Sequence, residues 1–280
     1  MEIAVYYDEK LESIGMEFLK KEEVRKVLEE VPYMRLDYSS VDKWLSSHGR
    51  GDVVIFLQDV LPYTAFNASY LELFGTGNIL GDFLNRGGTV VWLGDVPFFY
   101  RLRCVQGADK NLVKDRFEVG LKSVYPKEFY LDKFNITEVE GYGLCFRDII
   151  FNLHLDDSYS PRHISMFTKY LGFFDLSKVC YLDREVSAEA TFTGKLLGYN
   201  PGRTLRPVKL THEYEPLSVT RLVTPSCSGT YAGSWVRRVG KGYFVRLLDF
   251  PPNSEEIRDA VGIGGKIAAV IGQSAREVHP

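Results

Sequence analysis

Acidic and amide side chains stand directly after several short apolar runs. Asp8 follows IAVYY (3–7), Gln58 and Asp59 close DVVIFLQ (52–58), and Asp95 follows TVVWLG (89–94). Asp249 ends a later run, YFVRLLDF (243–250). If these runs are parallel strands, their carboxyl ends border the crevice where open α/β sheets take ligands. Carboxylates that converge there can work as an acid–base pair or as oxygen ligands for a hard cation such as Mg²⁺. Asp8, Asp59 and Asp95 are therefore the candidate catalytic residues. The same places also suit Asp as the cap of a following helix or turn, and both readings stand at this point. Gly94, Gln58 and Ser39 border the same edge as candidate ligand contacts. His212 and Glu213, in THEYEP (211–216), offer an acid–base group within a charged loop.

Other clusters lack the spacing their chemistry needs. HLDDSYSPRH (154–163) holds His154, Asp156, Asp157 and His163, yet their spacing matches no metal motif, and the segment reads as a polar loop. GIGGK (262–266) has no Ser or Thr after Lys266 and follows a helical pattern, so it is not a phosphate loop. No metal and no cofactor are expected. Cys104, Cys145, Cys180 and Cys227 form no C-x-x-C pair, which argues against a thiolate zinc site. Four cysteines are too sparse for a disulfide framework, so free thiols in a reducing, cytoplasmic interior are expected. Around Cys227 no neighbouring charge activates a thiol.

Acids exceed bases by 37 to 34, a net charge of −3. That balance gives no electrostatic footprint for nucleic acid. Arg101 with Arg103, and Arg237 with Arg238, read as solvated patches. The first apolar run is too short for a signal peptide, and no stretch approaches the ~18 apolar residues of a membrane span. Glutamine is confined to Gln58, Gln106 and Gln273, which is compatible with a thermophilic source.

Positioning the carboxylates requires strands and helices in alternation. Val24, Val27, Leu28 and Val31 recur at helical spacing, and Pro32 closes that helix. YMRLDY (33–38) is a second strand and Val41 to Ser47 a second helix. DVVIFLQ is a strand buried on both faces. A helix over Ile79 to Asn85 ends at Gly87-Gly88 and leads into TVVWLG. This alternation predicts an α/β fold with a doubly wound, mostly parallel sheet. SWVRRV (234–239), Gly240-Lys241-Gly242 and YFVRLLDF predict a late β-hairpin, followed after Pro251-Pro252 by a helix with Ser254 as N-cap.

The chain is read as one domain, residues 1–280. Residues 1–100 and 211–280 supply the sheet and its helices, and 101–210 form an insert or subdomain. Of the 18 Phe, 17 Tyr and 3 Trp, many fall between 96 and 210, including Phe98, Phe99, Tyr100, Phe129, Tyr130, Phe173 and Phe174. They predict an aromatic-rich insert with its own small core, or a surface for a partner or sugar. Helices are expected near 108–120 and 164–180.

ILGDFLNRGGTVVWLGDVPF (79–98), paired with AGSWVRRVGKGYFVRLLDF (232–250), resembles class I glutamine amidotransferase-like proteins. The similarity is to the divergent branch with ThuA-like proteins and the β-galactosidase trimerisation domain, and spans residues 1–100 and 230–275. It implies a flavodoxin-like, amidotransferase-like fold. It also implies a nucleophilic cysteine on the turn after TVVWLG, where this chain has Gly94-Asp95-Val96. Glutaminase activity is therefore not expected. The expected role is a ligand- or protein-binding module for an unidentified small molecule or protein. The alternatives are a hydrolase acting on a carbohydrate or related small molecule through the strand-end carboxylates, and a structural subunit of a homo-oligomer.

Overall fold

Runs of β-branched and aromatic residues make the central strands, and Gly88 and Gly94 bound one of them, Thr89–Leu93. The structure, a computed structural model, describes residues 1–16, 18–65, 79–97, 100–111, 136–149 and 178–277. HLDDSYSPRH, most of both helices expected near 108–120 and 164–180, and Phe98, Phe99, Phe129, Tyr130, Phe173 and Phe174 lie outside the described residues.

The chain begins with β1 (Ile3–Tyr6), a 3-10 turn (Glu9–Leu11), α1 (Lys21–Leu28), β2 (Met34–Leu36), α2 (Val41–Ser47) and β3 (Val53–Phe56). It continues through β4 (Leu61–Pro62), α3 (Ile79–Asn85), β5 (Thr89–Leu93), β6 (Tyr100–Val105), β7 (Thr137–Val139) and β8 (Gly143–Ile149). Short elements follow: β9 (Val186–Ser187), β10 (Glu189–Ala190), α4 (Phe192–Leu197), β11 (Arg203–Thr204) and β12 (Val208–Lys209). The last are β13 (Glu215–Val223), β14 (Ser228–Val239), β15 (Gly242–Leu247) and α5 (Ser254–Glu277).

The main sheet runs β10-β13-β14-β15-β5-β3-β1-β2, with β12 also paired to β14. From β2 to β15 all neighbours are parallel. Beyond β15 the sheet is antiparallel. The sheet is thus mixed rather than mostly parallel, because β13 and β14 extend the expected hairpin into a long ribbon. Every residue of β3 and β5 is buried, as strands covered on both faces require. On one face Trp44, Leu80 and Phe83 of α2 and α3 pack over Phe56, Trp92 and Phe244. On the other, Val24 and Val27 of α1 and Ile257 and Val261 of α5 pack over Ile55, Val91 and Val245. Each such side chain contributes about 1.5–3 kcal/mol of burial.

The expected hairpin forms, with Val239 opposite Gly242 and Trp235 opposite Arg246. Gly242 is obligatory: a Cβ there would lie 2.1 Å from the Gly88 carbonyl oxygen, so the Gly-Lys-Gly turn and the Gly-Gly after α3 meet backbone to backbone. The last helix is capped one residue earlier than expected. Asn253 Oδ1 accepts the Glu256 N–H at 3.0 Å, and Glu256 Oε2 accepts the Asn253 N–H at 2.9 Å, a reciprocal capping box.

A second sheet, β4-β6-β8-β7, lies within the expected insert region and its approach. Its Leu102, Cys145 and Phe146 join the same hydrophobic cluster as Tyr6, Phe56 and Trp92. Here the cysteine reading is corrected. Cys104 and Cys145, opposite each other on β6 and β8, form one disulfide; Cys180 and Cys227 form the other. Pairing depends on proximity in space, and separations of 41 and 47 residues conceal it in the sequence. Cys227 is therefore no thiol, and the argument for a reducing interior from free cysteines falls away. Disulfides persist in oxidising compartments and inside hyperthermophiles alike. Among the described residues no helix is long and apolar enough to cross a membrane.

Candidate functional site

Two corners form at the carboxyl ends of the parallel strands. β1 lies between β2 and β3, and α1 and α2 pack on opposite faces, so the order of strands reverses at β1. Ligands commonly enter at such a point; here Asp8 and Gln58 bond to the chain itself. The buried Asp8 carboxylate accepts three bonds: from Lys10 N–H (2.9 Å), Tyr38 N–H (3.0 Å) and the Tyr142 hydroxyl (2.8 Å). Gln58 Oε1 accepts the Asp8 N–H at 2.8 Å while its Nε2 donates to the Asp8 carbonyl at 3.0 Å. The Tyr38 and Tyr142 rings sit 5.4 Å apart. Burial and the bond to Asp8 push the Tyr142 phenol well above its ordinary value. Asp8 and Gln58 form a clasp that locks β1 to β3.

Ser39 lies exposed beside this corner and is bonded to Asp37. Its N–H and hydroxyl donate to Asp37 Oδ1 at 3.1 and 2.8 Å, joined by the Ser40 hydroxyl at 2.6 Å. Burial opposes the Asp37 charge, but these bonds outweigh it and hold the carboxyl below its ordinary range.

The second corner lies beyond β3, β5 and β15. Asp59 Oδ2 accepts the Phe18 N–H at 2.6 Å and the Asp95 N–H at 3.2 Å. Gly94 has φ +98°, and a Cβ on it would lie 2.7 Å from Asp59 Cβ, so only glycine brings these two aspartates together. Asp95 Oδ1 accepts the Val96 N–H at 2.7 Å, and its carbonyl accepts the Trp92 indole N–H at 2.8 Å. Of the three candidate carboxylates, Asp59 and Asp95 are adjacent and Asp8 is held in the other corner.

β15 supplies Arg246, a group that sequence reasoning missed, and leads to Asp249. Arg246 is fully buried, opposite Trp92 on one neighbour and Trp235 on the other. Its Nη1 donates to the Arg206 carbonyl at 2.7 Å. Asp249 Oδ2 accepts the Thr204 hydroxyl and, at 3.0 Å, the Arg206 N–H. Nε and Nη2 of Arg246 and Oδ1 of Asp249 are buried without a hydrogen-bond partner. Burial pulls the Arg246 pKa down against the attraction of Asp249 and Asp95, and pushes Asp249 up against that of Arg246.

The backbone between these charges is left-handed at Leu248, φ +54°, the sole such non-glycine among the described residues. The Leu248 carbonyl accepts the Gly94 N–H at 3.0 Å and its N–H donates to the Tyr199 hydroxyl at 3.2 Å. Above the corner, the Arg206 guanidinium lies over the rings of Phe18 and Tyr181, 5.6 and 5.4 Å from their centroids. It donates to the Leu182 carbonyl at 2.8 Å.

His212 and Glu213 do not reach this corner. Glu213 pairs with Arg237 at 3.3 Å, and Arg237 is opposite Phe244 near the start of β15, so both lie toward the amino-terminal edge. Among the described residues no group of three or more His, Cys, Asp or Glu could hold a metal ion. One signal for Arg246 exists in the sequence: a lone Arg within an otherwise apolar strand.

Residues 1–139, just under half of the chain, match the MJECL34 family. The matched stretch carries Asp8, Gln58, Asp59 and Asp95 and ends with β7, before Tyr142, Arg246 and Asp249. No curated protein matches the chain.

Proposed function

We propose that the chain is a ligand-binding module on an amidotransferase-like, doubly wound sheet, and that it binds a small molecule at the Asp59–Asp95–Arg246 corner without glutaminase chemistry. The strand order β2-β1-β3-β5-β15 supports the fold reading, because it follows the flavodoxin-like pattern 2-1-3-4-5. One observation carries the functional reading. The turn after β5, where the resembled family places its nucleophile, is Gly94-Asp95, and all four cysteines are tied in disulfides. The cysteine chemistry of the resembled family needs a free thiolate to attack the glutamine amide, whereas the Asp95 carboxylate already accepts a backbone N–H.

A glutaminase assay on purified protein, run beside a thermal-shift screen of small metabolites, tests this. The expected result is no ammonia release and a saturable shift with at least one small molecule, weakened in Asp95→Asn. Glutamine hydrolysis abolished by Cys104→Ala or Cys227→Ala would overturn the reading.

The contact between Asp59 and Asp95 favours a second reading, a hydrolase of a carbohydrate or related small molecule that uses these carboxylates as acid and base. A screen of sugars and esters in which wild type and Asp95→Asn behave identically on every substrate removes it.

A further inference from the structure

We infer that Arg246 anchors a small carboxylate, gripped side-on by Nε–H and Nη2–H, at the carboxyl edge of β5 and β15. The inference deepens the binding-module reading and rests on the same corner. A guanidinium has five N–H donors in a planar fork and stays charged. In Arg246 Nη1 is engaged by the Arg206 carbonyl. Nε and Nη2 point to the same side, carry no partner, and match the two oxygens of one carboxylate in parallel bonds.

Burying such a group unmatched is costly, yet the surroundings hold it in place rather than relieve it. Asp249, three residues on, accepts the Arg206 N–H and so fixes the carbonyl that Nη1 donates to. Asp249 itself does not fill the fork: Oδ2 is taken by Thr204 and Arg206, and Oδ1 faces Gly233, where a Cβ would lie 3.1 Å away. Trp92 and Trp235 stand opposite Arg246 on both neighbouring strands. Asp249 and Asp95 already place negative charge around Arg246, so a planar monoanion suits the site better than a phosphate dianion. The Arg206 guanidinium, stacked over the rings of Phe18 and Tyr181, borders the corner.

The direct test is the Nε–H resonance of Arg246 in protein labelled with ¹⁵N-arginine, assigned by its loss in Arg246→Lys. Acetate, succinate, chloride and phosphate are titrated at constant ionic strength, with thermal midpoints measured in parallel. The expected result is a saturable downfield shift and a raised midpoint with a carboxylate, absent with chloride and phosphate, and affinity about tenfold or more weaker in Arg246→Lys. If that variant does not fold, Arg246→Gln supplies the assignment, and the wild-type titration then decides. A resonance that no carboxylate moves overturns the inference. So does a response that fails to saturate, or a crystal grown in acetate with only ordered water at Nε and Nη2. A midpoint raised by some other ligand with Arg246 unmoved overturns the carboxylate assignment and leaves the binding-module reading intact.

Discussion

Asp8 and Asp249 both follow a parallel strand, both are buried, and both accept bonds from the backbone of a crossing segment. They differ in what remains unmatched. At Asp8 both carboxylate oxygens have donors, and the neighbouring amide of Gln58 uses its oxygen and its nitrogen. At Asp249 one oxygen has no donor, and the adjacent Arg246 has two idle nitrogens. A fully matched polar cluster rigidifies a fold, whereas a partly matched one weakens it unless something else completes it. Residue type alone does not separate a clasp from a site; the unmet bonds do.

The contrast can be broken most forcefully through the two disulfides, one behind each corner. Loop-closure entropy for separations of 41 and 47 residues gives about 4 kcal/mol each. Replacing Cys104 and Cys145, or Cys180 and Cys227, with Ser should lower the unfolding free energy, measured by urea denaturation, by a similar amount. Only the second pair should also weaken ligand binding, because Cys180 adjoins Tyr181 beside the corner. Asp8→Ala comes next: three donors lose their acceptor, and about 3 kcal/mol should be lost in urea denaturation. Gly94→Ala should cost about 2 kcal/mol from the positive φ, with further loss from the clash with Asp59.

The same measurement on Arg246→Met combined with Asp249→Asn should stay within about 1 kcal/mol of wild type, since it removes unmatched groups together. A loss as large as that of Asp8→Ala would erase the distinction between the corners. The smallest effect is in pH dependence. Asp37 is lowered in the folded state, so its contribution is present above the ordinary carboxylate range and lost as pH falls through the folded value. Asp249 is raised, so its contribution is present below that range and lost as pH rises through the folded value. Stability–pH curves of Asp37→Asn and Asp249→Asn should therefore deviate from wild type with slopes of opposite sign.

The first half of the main sheet was legible because apolar runs such as VVIF and TVVWL admit few alternatives once Gly and Asp bound them. The hairpin was legible for the same reason, its turn being two glycines around Lys241. The ribbon of β13 and β14 was not, because Glu215 to Val223 alternates weakly and its β-bulges disturb the period. Asp59 beside Asp95 followed from neighbouring strand ends. Arg246 was missed because a single polar residue in a strand normally marks a solvent-facing position, and only the pairing with Trp92 and Trp235 shows it buried. Tyr142 reached Asp8 across 134 residues, a separation over which sequence spacing carries no geometric information.

The place of β15 in the main sheet bears on the order of assembly. Residues 242–247 form the strand that joins the parallel half to the antiparallel half. On a ribosome β5 therefore waits with an open edge while some 150 further residues are made. Contacts that close so late make folding slow and leave an apolar strand exposed to wrong pairing in the interval. The stretch matched by the family, 1–139, ends long before that strand; expressed by itself it would keep that edge open, and it should self-associate more strongly than the whole chain.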